Sequence, residues 1–344
     1  MTKENPVLGI IGGGQLGSLL ATAAKKLKIK TIILSDDPKA PAENFCDEII
    51  ITDYNKLKKI DDFIDKVDVV TFEFENIPFK VLEYISKIKS VFPKPSINEI
   101  VQNRFKEKQF VNSEGIKTTD YVLVKNKLDI LKNENLLPAF LKTCTMGYDG
   151  KGQIIINNKD EVDKLNVDFK EEYILEKKIN LKKEISIIIT RFLNKDCLIY
   201  EPIENFHINQ VLSKSIIPAV IDKNIFNQAQ KQAKLLAEKL DYIGTMCVEY
   251  FIDENNNLLL NEVAPRVHNS GHLTINTYNV SQFENHIRAV CNLEKKELNK
   301  NYNAEMINII GEEIKVYRTK SYSKNEFFFD YLKTEIKKKE KWDI

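Results

Sequence analysis

The sequence predicts two α/β units in series, a small doubly wound parallel domain followed by a larger α+β domain built on antiparallel strands. Three observations carry this. Short apolar strands alternate with helical stretches through about the first 95 residues. Two prolines in FPKPS (92–96) then end the alternation. Beyond them, strand-like runs follow one another closely, and the last pair forms a hairpin around the polar string DENNN (253–257).

Taken in order, PVLGII (6–11) reads as a buried strand, 12–14 as a tight turn and 15–27 as a helix. TIIL (31–34), EIIIT (48–52) and VDVVTFEFE (67–75) are the next strands. One basic amphipathic helix is expected over 98–114. YVLV (121–124), AFLKT (139–143), IIIN (154–157), EYILEKKI (172–179) and EISIIIT (184–190) are expected in one mainly antiparallel sheet. An amphipathic helix covers 224–240, and TMCVEYFI (245–252) and NLLLNEVA (257–264) are the arms of the hairpin. After Cys291 the chain turns Lys/Asn-rich and less regular. The expected domains are 1–97, 98–291 and a small one at 292–344.

Composition excludes several classes. With 51 basic and 50 acidic residues the net charge is +1, without the basic signature of a dedicated nucleic-acid binder. The five cysteines are scattered and form no CxxC pair, which fits reduced thiols in the cytoplasm. No apolar run approaches the ~20 residues that span a bilayer. VLGII and LLATAA are separated by three glycines, so strand, turn and helix explain them better than an export signal. Neither a nucleic acid nor a membrane is an expected partner.

Four constellations carry chemistry. GIIGGGQLG (9–17) contains GxGxxG as Gly12, Gly14 and Gly17, with Asp36 and Asp37 about 20 residues on. Alone, it admits NAD binding or simple close packing of strand and helix. Lys142 followed by GYDGKGQ (147–153) suits a flap closing over phosphates, though a polar hairpin turn would look the same. It lacks the GxxxxGK[ST] of a P-loop. In the hairpin, a four-residue tip at 254–257 pairs Asp253 with Leu258 and, counting back, sets Glu249 opposite Glu262. Facing carboxylates need compensation, for which Mg²⁺ is the natural ion, with Asn261 as a further oxygen donor. A tip one residue longer or shorter would separate the two acids. Finally, APRVHNSGH (264–272) is a polar loop in which Arg266 could clamp phosphate or carboxylate through two parallel bonds. His268, His272 and His286 raise zinc as a rival, but no Cys or third His stands at ligand spacing.

In order and spacing, GGGQLG, TFEFENIP, GYDGKGQ, EKKI, YIGTMCVEYF and NEVAPRVHNSGH resemble the ATP-grasp superfamily and, within it, the N5-carboxyaminoimidazole ribonucleotide synthetases. The resemblance runs from about Pro6 to Gly311, and EFENIP and HNSGH favour these enzymes over the related formate-dependent transformylase. It implies an ATP-grasp architecture: a Rossmann-like pre-ATP-grasp domain, a two-lobed ATP-grasp domain with a flap subdomain at about 115–180, and a short C-terminal domain. It also implies a cytoplasmic, homodimeric ligase of purine biosynthesis that takes aminoimidazole ribonucleotide, bicarbonate and ATP with Mg²⁺, or Mn²⁺ in its place.

Carried over position by position, the resemblance puts Arg104 and Lys142 on ATP phosphates, with Gly147, Tyr148, Asp149, Gly150, Lys151, Gly152 and Gln153 folding over them. Glu176, Lys177, Lys178 and Ile179 would lie along the adenine and Glu184 at the ribose, with His207 and Asn261 also in the nucleotide site. Glu249 and Glu262 match Mg²⁺ ligands. Gln15, Leu16, Glu73, His268, Asn269, Ser270 and Lys333 match substrate positions, and Arg266, Lys151, Tyr148 and Asp149 match the catalytic group. The first glycine turn would then hold ribonucleotide instead of NAD. Tyr331, Leu332 and Lys333 match the start of the family's final segment, but Glu340 stands where an arginine is usual and the segment is shortened. Weakened ribonucleotide binding is the expectation there. Two other functions remain open at this point: a catalytically impaired MgATP-binding homologue and an NAD(P)-linked oxidoreductase.

Overall fold

The computed structural model describes residues 5–145, 152–323 and 325–326. The N-terminal sheet contains β1 (Leu8–Ile11), β2 (Thr31–Ser35), β3 (Glu48–Ile51), β4 (Val69–Phe72) and β5 (Ser90–Val91), all parallel, in the order β3-β2-β1-β4-β5. β1 is buried on both faces, as a central parallel strand must be, and reads as a continuous apolar run. Helices α1 (Gln15–Lys26), α2 (Asp61–Lys66) and α3 (Phe79–Ser86) cover the sheet. Gly9 in β1 leaves room for the Phe63 ring, which a Cβ would approach to 2.5 Å. β4 is shorter than the sequence run suggests: it ends at Phe72, so Glu73 and Glu75 lie just past it.

Where one helix is expected over 98–114 there are two, α4 (Pro95–Val101) and α5 (Arg104–Ser113). Asn103 is extended between them, and its side chain accepts the Phe105 and Lys106 N–H groups as the N-cap of α5. A second difference concerns the sheet beyond. β6 (Tyr121–Val124), β7 (Ala139–Thr143), β8 (Gln153–Ile156) and β9 (Tyr173–Lys177) form their own antiparallel sheet, ordered β6-β9-β7-β8, with α6 (Lys127–Lys132) against it. Residues 178–180 then carry the chain into another sheet. Strands adjacent in sequence therefore lie in different lobes, which alternation alone cannot reveal.

The central sheet comprises β10 (Leu181–Arg191), β11 (Cys197–Ile199), β12 (Ile203–Ile208), β13 (Val211–Ile217), β14 (Gly244–Asp253), β15 (Leu258–Ala264) and β16 (Ala304–Ile307). Its order is β15-β14-β10-β12-β13-β16, with β11 beside β10. Past Cys291, β16 joins this sheet by pairing with β13, and α10 (Glu313–Thr319) follows. α7 (Lys223–Lys239) buries Ile225, Ala229, Ala233 and Leu236, one stripe at helical spacing, against Met246, Val248 and Tyr250 of β14. After β15 come the short α8 (Thr274–Thr277) and α9 (Gln282–Val290).

α9 joins the two halves of the molecule. Its Phe283 and Ile287 share an apolar cluster with Leu16 and Leu20 of α1. Its buried His286 places Nε2 2.7 Å from Thr71 Oγ1 of β4, while Nδ1 accepts the Thr245 N–H of β14 at 3.0 Å. Burial lowers its pKa to about 4, so the ring is neutral, as these two bonds require. His286 is thus a tie between sheets and stands apart from the other two histidines considered for zinc.

Candidate active site

A cavity of ≈ 2100 Å³ is walled by the central sheet, the β6–β9 sheet and the start of α1. Its size exceeds the ~300–1,000 Å³ of a typical single-ligand site. The facing acids lie on its wall. Glu249 pairs with Glu262 across β14 and β15, as the sequence predicts, but by a different register. Ile252, not Asp253, pairs with Leu258, so the tip has one residue more than expected. A β-bulge between Glu249 and Tyr250 then absorbs Asn261 and restores the pairing of the two acids. Below the bulge Leu258 and Leu260 point into the core beside α7, and above it Val263 does, leaving Glu262 on the cavity side with Glu249.

The two acids have different neighbours. Glu262 Oε2 lies 3.3 Å from Arg104 Nη1. Glu249 Oε1 lies 3.1 Å from His268 Nε2, and its Oε2 3.5 Å from the Asn261 side-chain nitrogen. Burial disfavours charge on both members of the Glu249–His268 pair, yet their contact prevails. The Glu249 pKa is lowered, and the His268 pKa is raised by Cys247 and Glu249 beside it. Paired carboxylates with a side-chain amide beside them fit a hard, oxygen-seeking cation.

Cations form the adjoining wall. Lys142 on β7 lies 2.9 Å from Glu176 on β9, and Lys108 on α5 lies 3.7 Å from the other oxygen of the same carboxylate. Lys108 is 2% and Glu176 3% exposed. Burial opposes ionisation of Glu176, but Lys108 and Lys142 hold it down at about 2. Lys108 Nζ also donates to the Asn261 carbonyl at 3.3 Å. It is a structural link between cation wall and hairpin, and sequence reasoning missed it. Its spacing from Arg104, one helical turn, was the available signal. Lys177, Lys178 and Ile179 line the cavity where the chain crosses between sheets. Glu184 and His207 pair across β10 and β12, with Nδ1 2.8 Å from Oε2.

At the other end, Arg266 already holds a carboxylate. Its Nε and Nη2 donate to the two oxygens of Glu75, the second at 3.1 Å, and Nη1 donates to the Val267 carbonyl. Glu75 was also missed, although it stands two residues after Glu73 in the quoted string. Gln15, Gly152, Gln153 and Asn269 line the cavity, but three expected residues do not. The Leu16 side chain is in the apolar cluster between α1 and α9. Ser270 is fully buried, with Oγ 2.9 Å from His268 Nδ1 and 2.8 Å from Ser186 Oγ.

Glu73 is buried beneath the glycine turn. It accepts the N–H groups of Gly14 and Gly17 with its two oxygens. This fills the anion position that a dinucleotide pyrophosphate would take at the α1 N-terminus. The glycines are needed for the approach itself: a Cβ on Gly12 or Gly14 would come within 2.4 or 2.8 Å of Glu73. The NAD reading is thereby removed. Gly147, Tyr148, Asp149, Gly150, Lys151 and, at the C-terminal end, Tyr331, Leu332, Lys333 and Glu340 lie outside the described residues.

Comparison with known proteins follows the same division. Residues 6–102 match the ribonucleotide synthetase preATP-grasp domain and residues 109–283 the ATP-grasp domain. The N5-carboxyaminoimidazole ribonucleotide synthase of Bacillus subtilis (strain 168) is 37% identical over 337 residues, 96% of this chain and 88% of that protein. The Staphylococcus aureus N5-carboxyaminoimidazole synthetase complexed with ADP superposes with a TM-score of 0.87 at 35% identity, covering 92% of this chain and 86% of that one. The Aspergillus clavatus synthase in complex with ADP and 5-aminoimidazole ribonucleotide gives 0.82 at 26% identity, covering 89% and 82%. Two domain matches in the expected order, and relatives of this similarity over nearly the whole length, settle the matter: the chain belongs to the N5-carboxyaminoimidazole ribonucleotide synthase family of ATP-grasp ligases.

Proposed function

We propose that the chain carboxylates the exocyclic amine of 5-aminoimidazole ribonucleotide in purine biosynthesis, consuming ATP and bicarbonate and releasing ADP and phosphate. The observation that carries this is the opposed pair Glu249 and Glu262 on the wall of a cavity with room for two ligands, beside Arg104, Lys142 and Lys108.

Glu249 and Glu262, with Asn261 between them, would hold Mg²⁺, which when bound neutralises charge on the ATP phosphates. Arg104 and Lys142 bind the phosphates from the adjoining wall, and 177–179 with Glu184 and His207 orient the nucleoside. A bicarbonate oxygen attacks the γ-phosphorus, the bond to ADP breaks, and carboxyphosphate forms. Arg266 offers a planar fork that can pass from Glu75 to this anion. The ribonucleotide amine then attacks the carboxyl carbon and phosphate leaves, taking the amine proton. Closure of 147–153 would exclude water, which otherwise hydrolyses carboxyphosphate. Gln15, Asn269 and His268 face the ribonucleotide end, with Glu73, Leu16 and Ser270 holding that end in shape.

The domain boundaries belong to this reading: 1–97, 98–291 and 292 onward. So does a homodimer in the cytoplasm. The five free thiols support a reducing compartment, and among the described residues no helix is long and apolar enough to cross a membrane. The test is ADP release with ATP, ribonucleotide and bicarbonate omitted in turn. Turnover is expected only with all three, and equal ADP release without ribonucleotide would overturn the reading.

A further inference from the structure

The floor of the cavity holds a second, chemically different set of donors. Cys247 stands two residues before Glu249 on β14, so both side chains fall on the same face. Each of Cys247, Glu249 and His268 offers one ligand atom, and the three atoms lie within 4.8 Å of one another. No bond in the reaction derived above uses the sulfur.

We propose that Cys247, His268 and Glu249 form a binding site for a thiophilic divalent cation of the zinc class, and that filling it inhibits the enzyme. A hard ion such as Mg²⁺ gains nothing from sulfur and nitrogen donors, whereas Zn²⁺, Cd²⁺ and Co²⁺ select them. The spacing suits such an ion. Bonds of ~2.0–2.3 Å in a tetrahedron put donor atoms roughly 3.3–3.7 Å apart. One pair, His268 Nε2 and Glu249 Oε1, is already at 3.1 Å. Ser270 Oγ, 2.9 Å from Nδ1, fixes the ring so that Nε2 faces the carboxylate, which is the support an imidazole ligand normally has.

Cys247 is fully buried, while Glu249 and His268 line the cavity, so the ion enters from the cavity and keeps its fourth position open on that side. As the ion binds, the Cys247 thiol proton and the proton on His268 Nε2 both pass to solvent, and the ion sheds bound water. Glu249 cannot serve this ion and the Mg²⁺ site equally. The inhibition therefore rests on the function proposed above, and the binding does not.

The test uses metal-free full-length protein titrated with Co²⁺. A thiolate-to-cobalt charge-transfer band in the near ultraviolet is expected, lost on addition of Zn²⁺ and absent in Cys247→Ala. With Mg²⁺ in excess, Zn²⁺ should inhibit parent turnover at concentrations roughly tenfold or more below those that inhibit Cys247→Ala. If that variant does not fold, Cys247→Ser is nearly isosteric and gives the same reading. A charge-transfer band of undiminished strength in the variant overturns the site, because the sulfur then belongs to another cysteine. Equal Zn²⁺ sensitivity of parent and variant overturns the inhibition. Absence of Mg²⁺-dependent turnover in both sinks the functional reading alone, since the cobalt spectrum still decides the binding.

Discussion

The glycine turn before α1 and the β14–β15 hairpin both look like ligand sites in the sequence, and the fold treats them in opposite ways. At the turn, the chain supplies its own anion: Glu73 accepts the Gly14 and Gly17 N–H groups and leaves no place for a pyrophosphate. At the hairpin, two carboxylates line the cavity, Glu262 beside Arg104 and Glu249 beside His268 and Asn261. A fingerprint therefore reports that a backbone can receive an anion. What the fold sets opposite decides whether a ligand or a side chain fills the place.

Four substitutions probe that contrast. The largest effect is expected at the cation wall beside the hairpin. Lys108→Met should cost about 3 kcal/mol of stability, the low end of the ~3–5 kcal/mol for breaking a buried ion pair, because Lys142 still faces Glu176. Urea unfolding that matched the parent would show that Lys108 is dispensable there. Glu262→Gln should lower turnover by more than about 100-fold, beyond the ~10–100-fold typical of losing a supporting residue around a metal, with unfolding close to that of the parent. Retained turnover would remove Glu262 from the metal site.

At the turn the expectation reverses, with a structural loss first. Glu73→Ala should cost roughly 1–3 kcal/mol, since two N–H groups lose their acceptor. It should create no affinity for NAD, and calorimetry showing nicotinamide binding by the parent would break the contrast outright. The smallest effect concerns pH. Glu107 accepts the Val263 N–H at 2.6 Å, and burial with Glu262 nearby raises its pKa to about 8. A carboxyl raised on folding contributes fully below its unfolded value and loses that contribution as pH climbs through the folded one. Parent stability should therefore decline relative to Glu107→Gln from about 4.5 through about 8. Parallel stability curves across that window would argue against a buried, protonated Glu107.

Much of this was legible because it is local. Alternation gave four of the five strands of the first sheet, helical spacing gave α7, and the pairing of Glu249 with Glu262 was anticipated; the two-residue β5 is too short to show a pattern. That last success came from two compensating slips, since the longer tip and the bulge at Asn261 each move the register by one. The α4–α5 break was missed although Asn103 is a strong capping residue, because the apolar pattern continues across it. Lys108 and Glu75 were missed for another reason. Their importance comes from Glu176 and Arg266, which distant segments bring beside them. Cys247 could be placed on the face of Glu249 by strand period, but its nearness to His268 depends on how the loop after β15 folds back.

The bulge has an architectural effect as well. On a regular strand, Leu260 and Glu262 would share a face, and one of them would be misplaced. The extra residue changes the phase of the strand midway, so greasy and acidic alternations coexist on a single β15 without conflict. The aim of the two carboxylates is thus set at Asn261, within the strand, as well as at the tip.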